Sequence, residues 1–264
     1  MTDNMKVSII TVVLNNRDTI EDCMLSVFNQ SYPDIEYIVI DGGSVDGTVA
    51  IIKKYESKIA KWVSEPDGGI YDAMNKGIKL ASGDIIGILN SDDFYAHGKV
   101  IERVVSVIER NQADSCYGDL VYVDRYNPDR VIRYWKSKDF NKNLFKKGWM
   151  PPHPTFFCRK GLYEKYGLFK EEMRIAADYE MMLRLLYKFE CSTVYIPEVL
   201  VKMRGGGNSR PSLYNTIKAN RECYRAWRIN GLDTSILTYA LKPLSKINQY
   251  LHPSKKLFSS NKLD

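Results

Sequence analysis

The feature that most constrains this chain is an alternation through its first 110 or so residues, where short apolar runs are separated by segments of helical period. The runs are "VSIITVV" (7–13), "IEYIVID" (35–41), the weaker "IAKWVSE" (59–65) and "DIIGIL" (84–89). "TIEDCMLSVFNQ" (19–30), "DGTVAIIKKY" (46–55), "IYDAMNKGIKLA" (70–81) and "KVIERVVSVIERN" (99–111) follow them in turn, with apolar residues on one helical face. A half-buried strand alternates apolar and polar residues, whereas an apolar run is buried on both faces and needs helices above and below a parallel sheet. The spacing therefore predicts an α/β chain with a doubly wound, mostly parallel sheet.

The pattern changes near residue 115. "SCYGDLVYVD" and "RVIRYWKS", joined by the turn "RYNPD", predict a small antiparallel subregion. A polar and aromatic loop, "FNKNLFKKGWMPPHP", leads to "TFFC", a helix over "KGLYEKYG", a helix across "DYEMMLRLLYKF", and two short strands, "STVYIP" and "VLVKMR". "GGGNSRPS" (205–212) is read as a flexible connection, and "LYNTIKANRECYRAWRIN" as a long basic helix. Three segments follow: 1–112, 113–210, and 211–264 with C-terminal helices and a basic tail.

Composition narrows the class further. A chain of 264 residues, 44% hydrophobic, can bury a substantial core. Cysteines 23, 116, 158, 191 and 223 form no CxxC pair, which argues against a zinc site or disulfide framework and for a reducing compartment. The start "MTDNMKVSIITVV" reads as a first strand, not a signal peptide, and no apolar run reaches membrane-spanning length, so the expected location is cytoplasmic. The net charge of +6 gathers partly in "KPLSKINQYLHPSKKLFSSNKLD", where Lys242, Lys246, Lys255, Lys256 and Lys262 face only Asp264. That segment is either a peripheral contact with an anionic membrane, at the inner face of the cytoplasmic membrane, or a solvated tail. No RNP, zinc-finger or helix-turn-helix pattern accompanies the charge, so nucleic acid is not an expected partner.

In a doubly wound sheet, ligands bind outside the carboxyl ends of the strands. Four polar clusters fall there: Asn15 and Asn16, "DGGSVDGT" (41–48), "EPDGG" (65–69) and "NSDD" (90–93). Together they predict a polar ligand cleft. Asp41 ends an aliphatic strand before two glycines, and its acceptor-only carboxylate suits the N3 proton of uracil. Asp46, before "GTVAII", is read as a helix cap. Adjacent Asp92 and Asp93 repel unless compensated, and magnesium or manganese, usually held by one or two carboxylates plus phosphate oxygens, would compensate them; "SDD" is also good turn chemistry.

The ordered set "SIITVVLNN", "IVIDGGSVDGT", "EPDGGIYDAMNKGIKLASGDIIGILNSDDFY", "HPTFF" and "ADYEMMLRL", over roughly residues 5–205, resembles the nucleotide-sugar glycosyltransferases of family 2, which have the GT-A fold, and above all the bacterial enzymes of O-antigen, colanic acid and capsule biosynthesis. The resemblance implies a UDP-sugar donor, a Mn2+ or Mg2+ cofactor, and a saccharide acceptor on undecaprenyl diphosphate. It implies that Asp41 reads the uracil with Thr11 and Val13 to Asn15 lining the base pocket, and that Asp93 ligates the metal with Asp92 near the ribose or the metal. Ser91 stands where many relatives have Asp. Asp67, Asn75 and Lys76 fall at the ribose and donor-sugar loop and its following helix. Asp178 matches the general base, with Ala177 replacing the usual preceding Glu. His153 would contact metal or diphosphate, and Arg204, before a triple glycine, would close over the diphosphate or belong to a linker. The implied reaction is an inverting single displacement. A nucleotidyltransferase should show a Gly-rich basic loop after the first strand and a nicotinamide oxidoreductase G-x-G-x-x-G; "LNNRDT" is neither. A non-catalytic relative is disfavoured by retention of Asp93 and Asp178, and a processive synthase by the absence of Q-x-x-R-W.

Overall fold

A computed structural model describes residues 5–205 and 213–234. The amino-terminal half follows the predicted alternation: β1 (Val7–Val13), α1 (Ile20–Phe28), β2 (Ile35–Asp41), α2 (Thr48–Lys54), β3 (Lys61–Ser64), α3 (Ile70–Leu80), β4 (Ile85–Ile88), β5 (Asp93–Tyr95) and α4 (Val100–Asn111). The remainder contributes β6 (Ser115–Val123), β7 (Val131–Trp135), the one-turn α5 (Asn143–Lys146), β8 (Phe157–Arg159), α6 (Lys160–Tyr166), α7 (Ala177–Met182), β9 (Thr193–Arg204) and α8 (Leu213–Ile229).

All nine strands join one sheet in the order β3-β2-β1-β4-β8-β6-β9-β5, with β7 paired outside this path to β6. β3, β2, β1 and β4 run parallel; β8 is antiparallel to both β4 and β6, so hydrogen bonding is continuous from the first half into the second. The pleat of β1 shows why its run is apolar throughout. Ile10 and Val12 face the core beneath α3, α6, α7 and α8, while Val7, Ile9 and Val13 face α1 and α4.

Three local expectations change. "STVYIPEVLVKMR" is one strand, not two, because β9 absorbs Pro197, which cannot donate a ladder bond, in register shifts against β6 around Asp119. The helix over 178–189 starts one residue earlier and ends in π-helical turns (Leu183–Lys188). Asp93 does not lie in a loop: it begins β5, paired antiparallel to Met203 of β9.

Two glycines mark where the layers touch. A Cβ on Gly77 of α3 would lie 2.3 Å from Ile10 Cγ2, and one on Gly87 of β4 would lie 2.3 Å from Phe157 Cε1. The former sets how closely α3 packs on β1, the latter how β8 crosses β4. The C-terminal α8 buttresses α7: Trp227 donates to the Tyr179 hydroxyl and Asn230 to Glu180, while the Glu222 carboxylate accepts from the Ile175 and Ala176 amides just ahead of α7. Among the described residues no helix is long and apolar enough to cross a membrane. The basic tail lies outside the described residues, as do Gly206 and Gly207.

Candidate active site at the carboxyl edge of the sheet

The ends of β1 to β4 are knitted into one rim. Asp41, fully buried, accepts from the Gly43 and Ser44 amides and the Ser64 hydroxyl through Oδ2, while its Oδ1 is buried without a partner. A buried carboxylate oxygen left unpaired is costly and points to a donor from outside the chain. Asp67 comes against it because position 42 has no side chain: a Cβ on Gly42 would lie 2.4 Å from Asp67 Oδ2. The other Asp67 oxygen accepts from the Gly69 amide. Asn15, at φ +49°, ties β1 to this loop, donating its amide to Ser44 Oγ and receiving the Val45 amide on Oδ1. Asp46 makes an Asx turn just ahead of α2, whose N-cap is Gly47, accepting from the Thr48 amide and hydroxyl and from the Arg17 amide.

Several expected ligand contacts are instead structural. Thr11 and Val13 do not line a pocket with their side chains. Thr11 is buried between Cys23 and the Tyr37 hydroxyl, Val13 lies in the core, and the Val13 carbonyl receives the Gly42 amide. Asn75 is spent inside the protein, donating to the Phe169 carbonyl and Glu171 and accepting from the Phe169 amide. Lys76 is engaged by Glu65 at 2.9 Å and Asp72 at 3.4 Å, the ion pairs raising its pKa, and it braces the 65–69 loop from below.

The "NSDD" turn is anchored on α1. Asn16 donates to Ser91 Oγ, Thr19 to the Ser91 carbonyl and the Cys23 thiol to the Asn90 carbonyl. The two acids then diverge. Asp93, expected to be the metal ligand, has no accessible surface; Oδ2 meets Asn90 Nδ2 at 3.4 Å and Oδ1 is unpaired. Burial, and then the charge of Asp92, push Asp93 well above the usual carboxylate range, which disfavours the anion an ion would need. Asp92 is only partly buried; burial raises its carboxyl, and the guanidinium groups of Arg125 and Arg204 oppose that rise. Arg204 is therefore not a hinged clamp. It ends β9 at 4% exposure, donates to Asp22 Oδ2 at 2.5 Å and to the Asp92 carbonyl at 3.3 Å, and stacks over the Phe94 ring at 4.7 Å.

The second half brings its chemistry to the same edge. Asp178, second residue of α7, receives the Tyr71 hydroxyl on Oδ1 at 3.3 Å and lies 3.1 Å from His153 Nδ1 through Oδ2. Tyr71 also reaches the Ile175 carbonyl, and Arg174 donates to the Gly68 carbonyl, so the segment ahead of α7 is docked on the "EPDGG" loop. His153, expected at the metal or diphosphate, thus pairs with the expected base. Arg184 fixes α7 from behind, bound to Glu180 and to the carbonyls of Tyr166, Gly167 and Leu168. Tyr71, Arg174, Asp22 and Glu222 were not legible as site residues: their partners lie far away in sequence, and one sequence holds no signal for such pairs.

Among the described residues no cluster of three or more His, Cys, Asp or Glu side chains could hold a metal by itself. The donor set does fit a hard divalent ion that takes most of its shell from phosphates and water: the partly exposed Asp92 carboxylate is the acid of this turn with surface to offer it.

Comparison with known proteins agrees with this layout. The family model described as "Glycosyl transferase family 2" matches residues 8–167. An uncharacterized glycosyltransferase of Mycobacterium tuberculosis is 36% identical over 240 residues, covering 88% of each chain. A PGL/p-HBAD biosynthesis glycosyltransferase of Mycobacterium bovis is 29% identical, covering 80% of this chain and 79% of its own. Among solved structures, this chain spans 46% of S. aureus TarS (TM-score 0.65, 17% identity). It spans 70% of TarS 1-349 in complex with UDP-GlcNAc, with 90% of this chain covered, a TM-score of 0.67 and 17% identity. A Pyrobaculum calidifontis mannosyltransferase in complex with GDP-Man and Mn2+ superposes with a TM-score of 0.63 at 18% identity over 96% of this chain and 71% of that one.

Proposed function

This chain belongs to glycosyl transferase family 2 and is a glycosyltransferase, and from that premise we propose that its donor is a UDP-linked hexose or N-acetylhexosamine, transferred with inversion to a hydroxyl of a lipid-diphosphate-linked saccharide in surface polysaccharide assembly. The observation that carries the donor reading is the unpaired, buried Oδ1 of Asp41 at the end of β2. Its other oxygen already accepts three hydrogen bonds, so a single acceptor is on offer. Uracil presents one N–H, at N3; cytosine has a bare acceptor at N3 in its place, and guanine presents two donors side by side, one of which would go unmet. The UDP-GlcNAc complex of TarS is a neighbour of the same fold that uses such a donor.

The division of labour follows from where the side chains lie. Asp41 and Asp67 hold the nucleoside end, with Asn15 and Lys76 keeping their loops in place. Asp92 would hold a Mn2+ or Mg2+ ion, which when bound neutralises charge on the diphosphate leaving group. Asp178 stands across the rim, where a carboxylate can draw the proton from an acceptor hydroxyl as it attacks the anomeric carbon from the face opposite the diphosphate. No second carboxylate nucleophile is needed for such an in-line displacement, and the geometry assigns none. The three segments then act as donor half, acceptor and base half, and C-terminal support, and the basic tail would place the enzyme at the membrane where its acceptor resides.

Calorimetry with UDP, GDP and CDP in manganese and in EDTA tests this reading. UDP should bind at least tenfold more tightly than CDP, and chelation should weaken it. Equal affinity for all three overturns the uracil assignment, and UDP affinity unchanged in EDTA overturns the metal.

A further inference from the structure

His153 was expected at the diphosphate, yet it touches the base, and that contact has a chemical consequence. A carboxylate only accepts hydrogen bonds, so the 3.1 Å approach of His153 Nδ1 to Asp178 Oδ2 is favourable when the proton sits on Nδ1. In the neutral ring this leaves Nε2 as a bare lone pair, and the His153 side chain keeps 31% of its surface against 17% for Asp178. Both Asp178 oxygens are occupied, Oδ1 by the Tyr71 hydroxyl and Oδ2 by the imidazole. The loop that carries His153 is stiff: prolines flank it, Thr155 is bonded to the Pro152 and Gly118 carbonyls, and the short helix His153–Thr155 packs on β6. The charged groups around this pair on the neighbouring elements are few. Arg174 is turned to the Gly68 carbonyl and Lys76 to Glu65 and Asp72, so neither guanidinium nor ammonium competes for Asp178.

We propose that His153 and Asp178 act as one proton-accepting dyad, in which Nε2 of His153 takes the acceptor proton and Asp178 orients the ring and stabilises the imidazolium. The inference rests on the glycosyltransferase reading above and changes which atom does the proton transfer. As the acceptor oxygen bonds to the anomeric carbon, its O–H bond breaks and the proton goes to Nε2. The bond from the anomeric carbon to the diphosphate oxygen breaks with its electron pair leaving on the UDP. The imidazolium then returns its proton to solvent. Tyr71, a positioning residue, donates to the second carboxylate oxygen so that Asp178 keeps one orientation towards the ring.

Two measurements test the dyad separately. The first needs no substrate. The chain has three histidines, so long-range proton–nitrogen correlation spectra of the side chains can follow His153 alone. The expected form is the Nδ1–H tautomer in the wild type, lost in Asp178→Asn; an Nε2–H tautomer in the wild type overturns the proposal whatever the donor is. The second uses release of UDP from UDP-glucose, UDP-galactose, UDP-GlcNAc and UDP-GalNAc with manganese, water serving as acceptor. For the donor that the wild type turns over, His153→Asn can keep an N–H near the Nδ1 position for Asp178 but has no basic nitrogen. It should lose about a hundredfold or more in kcat with KM for the donor unchanged, and His153→Gly should regain rate in added imidazole. Activity of His153→Asn within about threefold of wild type would return the proton to Asp178. If the wild type releases UDP from none of the four, the UDP-hexose donor reading fails, and the tautomer decides the dyad independently.

Discussion

Glu36 offers a test of how the rim's scaffold is held, and its size can be worked from the contacts. The carboxylate sits on β2 at 4% exposure and joins three other segments: it accepts from Ser8 Oγ of β1 at 2.6 Å and from the Ser82 amide and hydroxyl at 2.7 and 2.8 Å, and it pairs with Lys61 of β3 at 3.0 Å. Burial alone would raise its pKa; the Ser8 hydroxyl, the Ser82 amide, Lys61 and the Ser82 hydroxyl outweigh that and bring it down from 4.5 to about 2. A gap of about 2.5 pH units at about 1.4 kcal/mol each is a ceiling of ~3.5 kcal/mol. Because Lys61 is 41% exposed its share is screened, leaving about 2 kcal/mol. The folded pKa lies below the unfolded one, so this stability is complete above about pH 4.5 and drains away as pH falls towards 2. Glu36→Gln, compared with wild type by urea unfolding, should cost about 2 kcal/mol at pH 7. At pH 3.5, one unit below the unfolded value, the gap should narrow by about 1 kcal/mol. A difference that is the same at both pH values would show that the carboxylate is not ionised through these contacts, and the argument would fail.

Asp178→Asn should keep UDP affinity within about twofold while transfer falls a hundredfold or more, read by calorimetry and UDP release. Asp92→Asn should weaken UDP binding in manganese by about tenfold or more and remove its sensitivity to EDTA, whereas Asp93→Asn should spare that sensitivity, since Asp93 has no surface from which to reach an ion. Asp41→Asn replaces the single free acceptor by a group that can present N–H, and should cost UDP about 1–3 kcal/mol in calorimetry with CDP affinity less affected. Gly87→Ala sets a methyl 2.3 Å from the Phe157 ring and should lower stability by about 1–3 kcal/mol in thermal unfolding, without changing the nucleotide preference of the folded fraction.

What could be read from residue order alone divides along a physical line. β1, β2, β4 and the helices between them are local matters, set by apolar period and turn chemistry, and each lies within a few residues of its expected place. The Asx turn that Asp46 makes with Thr48 is equally local. The strand that holds Asp93 was missed because β5 has three residues and exists only through pairing with Met203 to Val201, more than a hundred positions away. The missing N–H of Pro197 is a local fact that suggests a break, while the bulge of β9 against β6 that tolerates it is not.

The same line runs through the site and decides what balances its two acids. Like charges at the end of an apolar strand demand compensation, and from the sequence a bound cation was the economical answer. In the fold that demand is already partly met: burial and the charge of Asp92 push the Asp93 carboxyl up towards its neutral form, and Arg204, brought over by β9 and pinned to Asp22, lies against the Asp92 carbonyl. Only one carboxylate is left for an ion, so a divalent metal would leave excess positive charge at the rim. That excess suits a diphosphate rather than a neutral sugar. The rim is thereby matched to the whole nucleotide-bound ion more than to the ion alone, and manganese affinity should be weak without UDP and cooperative with it. Titration of manganese by calorimetry or paramagnetic relaxation, with and without UDP, measures that coupling; equally tight binding of manganese in the absence of nucleotide would refute the charge argument.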